Sequence, residues 1–166
     1  MKKLLILAFL TVATTVTFAQ GNLEPGRNQL NVGFGLSGWG LPVYVGFDHG
    51  FKQNITVGGE LSFRSYNEKV FGTRYRSSIL GLSANGNYHF NEMLDLDGEW
   101  DVYAGLNIGF YNWSSPSGYP GNGNSGLGLG AQVGGRYFFN SSTAMNLEFG
   151  GGNAFSGGKI GITKKF

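Results

Sequence analysis

From Asn28 onward, apolar residues alternate with small or polar ones at a period of two, and no segment sustains the ~3.6-residue period of a helix. The alternation falls into eight runs. In the first half the apolar positions are Leu30, Val32, Phe34 and Leu36; Leu41, Val43, Val45 and Phe47; Ile55, Val57, Leu61 and Phe63; and Leu80, Leu82, Ala84, Tyr88 and Phe90. In the second half they are Val102, Ala104, Leu106, Ile108 and Phe110; Leu127, Leu129, Ala131, Val133, Tyr137 and Phe139; Met145, Leu147 and Phe149; and Ile160, Ile162 and Phe166. Each run has one apolar face, the signature of a strand in an all-β protein.

The connectors alternate in character. Compact polar turns are predicted at residues 48–54, 91–99 and 140–143, and they separate hairpins with other loops at 37–40, 67–76, 112–125 and 150–156. Short turns on one rim and longer loops on the other suit an up-and-down antiparallel barrel with both termini at the short-turn rim.

The composition of the second parity decides which way the apolar face points. A surface in water is typically ~25–35% charged, whereas this parity is dominated by glycine, serine and asparagine, as in Gly33, Gly35, Gly46, Gly58, Ser83, Asn85, Gly105, Gly128 and Gly130. It carries Glu60, Asp101 and Glu148 against Arg64, Arg136 and Lys159. A balanced set of this kind suits a narrow polar interior, in which buried ions must pair. Glu60, Arg64, Gln132, Arg136, Glu148 and Lys159 are therefore expected to form a lumenal polar network, while Asp101, at the start of its strand, is expected at the rim. The apolar parity then faces lipid, with Lys164 as its one formal charge, close enough to the chain end to snorkel. A midplane charge on that face would cost ~2–4 kcal/mol.

Aromatics cluster where a membrane interface would lie. Phe47, Phe51, Tyr88, Phe90, Trp100, Tyr137, Phe139 and Phe166 fall beside the short turns, and Trp39, Tyr66, Tyr111 and Trp113 suggest a second belt at the other rim.

The N-terminus reads differently. Lys2 and Lys3 precede the apolar run from Leu4 to Leu10, and Thr17-Phe18-Ala19 supplies small residues before Gln20. This is the pattern of an export signal, residues 1–19, cleaved ahead of a single barrel domain of residues 20–166. Removing Lys2 and Lys3 from the 12 basic residues leaves ten against 10 acidic ones, so the mature chain has no basic field for nucleic acid. Charged residues are only 13% of the chain, glycine accounts for 30 of 166 residues, and cysteine is absent, which removes disulfides, thiolate metal sites and a lipoprotein anchor. Membrane attachment is left to the fold.

Taken together, the eight alternating runs, the segment GFDHGFKQNITVGGELSF from Gly46 to Phe63, and the terminal GKIGITKKF resemble the small OmpA/OmpX-like outer-membrane β-barrel family across essentially the whole mature chain. The resemblance implies an eight-stranded antiparallel up-and-down transmembrane β-barrel in the outer membrane of a Gram-negative-type cell. It also implies that Ile160, Ile162 and Phe166 form the signal read by the barrel-insertion machinery, with Lys164 departing from that alternation. Lipid is the implied partner, and function would lie in exposed loops, with no peptidoglycan-binding domain appended.

Candidate chemistry is sparse. The two histidines, His49 and His89, are both expected at the short-turn rim, with no nucleophile or orienting acid set beside them by spacing, so no catalytic residue is assigned. Asp95-Leu96-Asp97-Gly98-Glu99 lacks the spacing of a calcium loop. The glycine pairs open no helix and cradle no phosphate. No cofactor or metal is expected. Trp113 and Tyr119, set among Gly, Ser and Asn in the 112–125 loop, are candidate contacts for a host surface, a glycan or another protein.

The resulting expectation is a non-enzymatic barrel with an envelope-structural or surface-interaction role and a plugged lumen; a small channel and a soluble lipocalin-like carrier are the alternatives. N-terminal sequencing of the protein recovered from cell envelopes is expected to begin at Gln20; a chain still starting at Met1 would contradict the export reading.

Overall fold

A computed structural model describes residues 21–36, 40–118, 125–153 and 156–166. Residues 1–19, expected from the sequence to be an export signal, and Trp39 and Tyr119 lie outside the described residues. The strands are β1 (Asn28–Leu36), β2 (Val43–Lys52), β3 (Ile55–Val70), β4 (Thr73–His89), β5 (Trp100–Ser114), β6 (Gly126–Asn140), β7 (Thr143–Gly152) and β8 (Ser156–Lys165). Each pairs antiparallel with its sequence neighbours, and β1 pairs with β8 to close the barrel. Closure gives every strand two partners and leaves no edge, the condition for carrying backbone through hydrocarbon. The termini meet at one rim, where the backbones of Asn28 and Phe166 exchange hydrogen bonds of 3.1 and 2.9 Å.

The period-two pattern becomes two surfaces. Leu30, Val32, Phe34, Leu61, Leu82, Ile108, Leu129, Val133, Leu147 and Ile162 all stand on the outside, exposed, and Leu106 at the middle of β5 is 71% exposed. The buried side chains are mostly polar: Gln29, Asn31, Asp48, Thr56, Asn87, His89, Asp101, Arg136, Asn146 and Thr163. Apolar outside and polar inside inverts a water-soluble barrel. This is the arrangement that lipid demands, and it excludes the soluble carrier.

Aromatic pairs ring the rim that holds the termini. Phe47 lies 6.3 Å from Phe166, Tyr88 5.0 Å from Phe90, Trp100 4.9 Å from Tyr137 and Tyr137 5.8 Å from Phe139. Lys164, opposite Leu30 in the β1–β8 register, turns its ammonium to Ser142 Oγ at 2.8 Å and Thr143 Oγ1 at 3.1 Å, so its charge leaves the lipid face for a polar turn.

Strands run further into the expected connections than the sequence suggests, β5 to Ser114 and β7 to Gly152 among them, and most clearly at two hairpins. β2 runs through Asp48 and His49 to Lys52, so the 48–54 turn shrinks to Gln53-Asn54, with Asn54 at φ 61°. The 67–76 loop is absent as such. β3 and β4 continue pairing to Val70–Thr73 and close on the two-residue turn Phe71-Gly72, with φ of 49° and 85°, the left-handed pair that matches strand twist. Glycine at the second position is what that conformation favours.

The outward surface can be probed directly. Leu106→Arg is expected to lower the free energy of folding into lipid vesicles, measured by reversible denaturant titration, by ~2–4 kcal/mol; an unchanged midpoint would place this face away from lipid.

Candidate functional site in the barrel lumen

Register builds the ion pairs of the interior. Asp101 of β5 and Arg136 of β6 are direct cross-strand partners, as are Glu148 of β7 and Lys159 of β8. Each adjacent pair forms a salt bridge of 2.7 Å. Each base then reaches across the lumen to a second carboxylate, Arg136 to Asp48 on β2 at 3.4 Å and Lys159 to Glu60 on β3 at 2.6 Å. Two bases thus hold four acids, and the six residues stand on six strands. Ions this far from bulk water persist only because each finds opposite charge and hydrogen bonds.

Two tyrosines cross-brace the clusters. The Arg136 guanidinium stacks 4.3 Å over the Tyr103 ring, while Tyr103 Oη donates to Glu148 Oε2 at 2.9 Å. Lys159 Nζ lies 5.1 Å from the Tyr44 ring, and Tyr44 Oη donates to Asn146 Oδ1 at 2.9 Å. Glycines admit these rings: a Cβ on Gly134 would stand 2.5 Å from Tyr103, and one on Gly161 would stand 2.6 Å from the Tyr44 oxygen. From Asn146 the chain continues by donation to Thr163 Oγ1 at 3.0 Å, from Thr163 to Asn31 Oδ1 at 2.7 Å, and from Asn31 to Asp48 Oδ2 at 2.8 Å. Gln29 also donates to Asp48, at 2.9 Å. A parallel amide relay runs from Asn107 to Gln132 Oε1 and from Gln132 to Asn87 Oδ1, each at 2.7 Å.

His89 and Asp101 are not rim residues. Both are buried, with His89 Nδ1 2.6 Å from Asp101 Oδ1 and His89 Nε2 3.0 Å from Thr56 Oγ1. A hydroxyl, an imidazole and a carboxylate in this order have the connectivity of a hydrolytic triad. Thr56, however, is 0% exposed, and neither cavity of the lumen touches Thr56, His89 or Asp101. In place, the three act as a hydrogen-bonded continuation of the Arg136 cluster.

Of the residues singled out from sequence, Glu60, Glu148 and Lys159 meet in one cluster and Arg136 in a second, joined to the first through Tyr103. Gln132 belongs to the amide relay. Arg64 is buried beside Tyr111 in the wall of the upper cavity. Asp48, Thr56, His89, Tyr103 and Asn146 went unrecognised as members. Their parity was a usable signal, because Asp48 follows Tyr44 and Gly46, and His89 follows Asn85 and Asn87, on the inner face. Trp113 lies within β5 rather than in a loop and packs edge-on against Tyr66 at 6.2 Å. Tyr66, Tyr111 and Trp113 all fall on the inner parity of their strands, so they form no lipid-side belt. Ile160 and Ile162 face outward on β8, and Phe166 packs at the rim against Phe47.

The free space is unequal along the axis. Toward the loop rim, a cavity of about 120 Å³ opens between Tyr44, Glu60, Arg64, Asn85, Tyr111 and Gln132, with Lys159 at its inner end. Beyond Lys159 only about 20 Å³ remains, lined by Asp48, Asn87, Tyr103 and Arg136. The opposite mouth is covered by residues 21–27, a segment the sequence left without a role. Gly26 N donates to Gly50 O at 2.8 Å and Gly50 N to Arg27 O at 2.9 Å, which sets this segment against β2. Leu23 is buried, and Lys165 Nζ donates to the carbonyls of Gly21 and Asn22, each at 3.0 Å, while lying 3.8 Å from the ring centre of buried Phe138.

No protein-family model and no curated protein matches the chain. Solved structures do. The barrel is similar to the outer membrane protein OprG of Pseudomonas aeruginosa, at 13% identity over 89% of this chain and 99% of that one, with a TM-score of 0.67. It is also similar to the N-terminal β-barrel domain of Pseudomonas aeruginosa OprF, at 12% identity over 87% and 100%, TM-score 0.58. Neisserial surface protein A aligns at 14% identity over 84% and 95%, TM-score 0.58. Likeness at this identity establishes fold: the chain has the architecture of the small eight-stranded outer-membrane β-barrels.

Loss of Arg136 strands two buried carboxylates. Arg136→Ala is expected to cost ~3–5 kcal/mol by leaving Asp48 and Asp101 without their shared cation. Adding Asp48→Asn and Asp101→Asn should recover a large part of it. Denaturant titration in vesicles checks both, and a triple variant no better than the single one would mean the pairing is not what Arg136 contributes.

Proposed function

We propose that this outer-membrane barrel is a non-enzymatic, non-conducting protein of the cell envelope, anchored by its outer face and meeting its surroundings through the loop rim. The observation that carries this reading is the stacked closure of the lumen: the Lys159 cluster, the Arg136 cluster and the 21–27 segment lie in series along the axis. An eight-stranded interior is just wide enough for side chains. An ion moving through would have to displace paired charges at two levels and then the covering segment.

The same closure argues against catalysis, since the Thr56–His89–Asp101 series is sealed from both cavities. It also argues against the small-channel alternative, because the open cavity ends at Lys159. The barrel's partners in this reading are outer-membrane lipid on the outward face, the insertion machinery acting on Ile160, Ile162 and Phe166, and a host surface, glycan or protein at the loop rim, where the 115–125 connection holds Tyr119 and Trp113 stands near the end of β5.

Planar-bilayer recording of the folded protein is expected to show no discrete conductance steps. Reproducible steps, abolished by narrowing the upper cavity with Gly130→Leu, would overturn the sealed-lumen reading in favour of a small channel.

A further inference from the structure

Charge outside the lumen is segregated between the two rims. The 91–99 turn at the terminal rim holds Glu92, Asp95, Asp97 and Glu99, while at the loop rim the connections 37–42, 115–125 and 153–155 contain no charged residue. The external charge is confined to the β3–β4 ribbon, as Glu68, Lys69, Arg74 and Arg76.

The ribbon rises above its neighbours. Among the described residues, β2 stops pairing with β3 at Val43–Phe63 and β5 stops pairing with β4 at Ser78–Ser114, whereas β3 and β4 pair on to Val70–Thr73. Alternation carries the barrel's two faces up this ribbon. Phe63 and Leu80 are the last outward apolar pair; above them on the same outward parity come Ser65–Ser78, Asn67–Arg76 and Lys69–Arg74. All three cations therefore share the lipid-side parity and are exposed, and Glu68, paired with Tyr75, takes the inward parity. Arg76 is held low on that face by its Nε donating to Ser65 Oγ at 3.0 Å.

Height and charge then select the occupant. Four residues of a strand tilted as barrel strands are lift Arg76 roughly 10 Å above the Leu80 level, into the polar layer that borders the hydrocarbon. Lys69 and Arg74 stand directly opposite each other, an arrangement unfavourable between like charges unless an anion lies against both. We propose that Lys69, Arg74 and Arg76 form a docking face for the phosphate groups of outer-leaflet glycolipid packed around the barrel. The ribbon continues the lipid-facing surface past the hydrocarbon, exchanging apolar contact for cation–phosphate contact. Phe71, 97% exposed at the tip, lies beyond it. This inference rests on the outer-membrane reading.

The test titrates folded protein in neutral detergent with lipid A carrying both phosphates and with the dephosphorylated lipid. Heat-shift on unboiled gels first establishes that each variant is folded, so failure of the barrel reading shows there and not in the binding data. Lys69→Gln, Arg74→Gln and Arg76→Gln are each expected to weaken binding of the bisphosphorylated lipid about fivefold, and the triple variant about a hundredfold. Lys69→Arg and the opposite-rim variant Lys52→Gln should bind as wild type does, and the dephosphorylated lipid should not distinguish wild type from triple variant. Equal binding by wild type and triple variant, or an equal loss with Lys52→Gln, would overturn the proposal. So would a triple variant that keeps lipid A but loses heparin, since the face would then serve a soluble polyanion.

Discussion

Closing a sheet of only eight strands is the constraint from which the rest follows. Closure satisfies the backbone without water, which lets the outer face be wholly apolar, but it leaves an interior too narrow for bulk solvent and lined by every second residue. Those residues must satisfy one another. The glycines, the two braced tyrosines and the two base-centred clusters are three parts of one solution: glycine makes room, the rings fill it, and charge is matched across it.

Such an interior contributes rigidity and specificity more than net stability. Buried ion pairs roughly repay their own desolvation and become costly mainly when one partner is removed. Here each base bridges a neighbouring strand and a distant one, so the network checks register and closure together: slipping β8 by one residue would turn Lys159 to lipid and leave Glu60 and Glu148 facing each other. The lipid-facing surface checks parity alone: a slip of two residues returns apolar side chains to lipid, one exposed leucine being much like another, but takes Lys159 away from its partners.

The two ends of the barrel are used differently. At the terminal rim, the 21–27 segment, Phe138, Lys165 and the aromatic ring make a closed, anchored base. At the other rim the lumen widens and β3 and β4 outrun their neighbours. An otherwise uncharged set of loops puts its cations on one face of one ribbon, so the part of the molecule farthest from the sealed base holds its external electrostatics.

Strand number, the direction of the apolar face and the polar lining were legible in the sequence because a strand's side chains alternate strictly, so parity alone assigns Leu106 to lipid and Glu148 to the lumen. Strand ends were less so. Asp48 and His49 look like turn residues, yet the pairing of β2 with β1 and β3 and the partners of Asp48 keep them in the ladder, tertiary contact overriding local preference. What only the tertiary structure decided is what lies across the lumen from what: that Arg136 meets Asp48, that Lys159 meets Glu60, that Thr56, His89 and Asp101 converge, and that Lys165 ties down the segment before β1. The physical reason is that a period of two records which side of the sheet a residue faces, whereas a cross-lumen partner depends on barrel closure and strand stagger, which are properties of all eight strands at once.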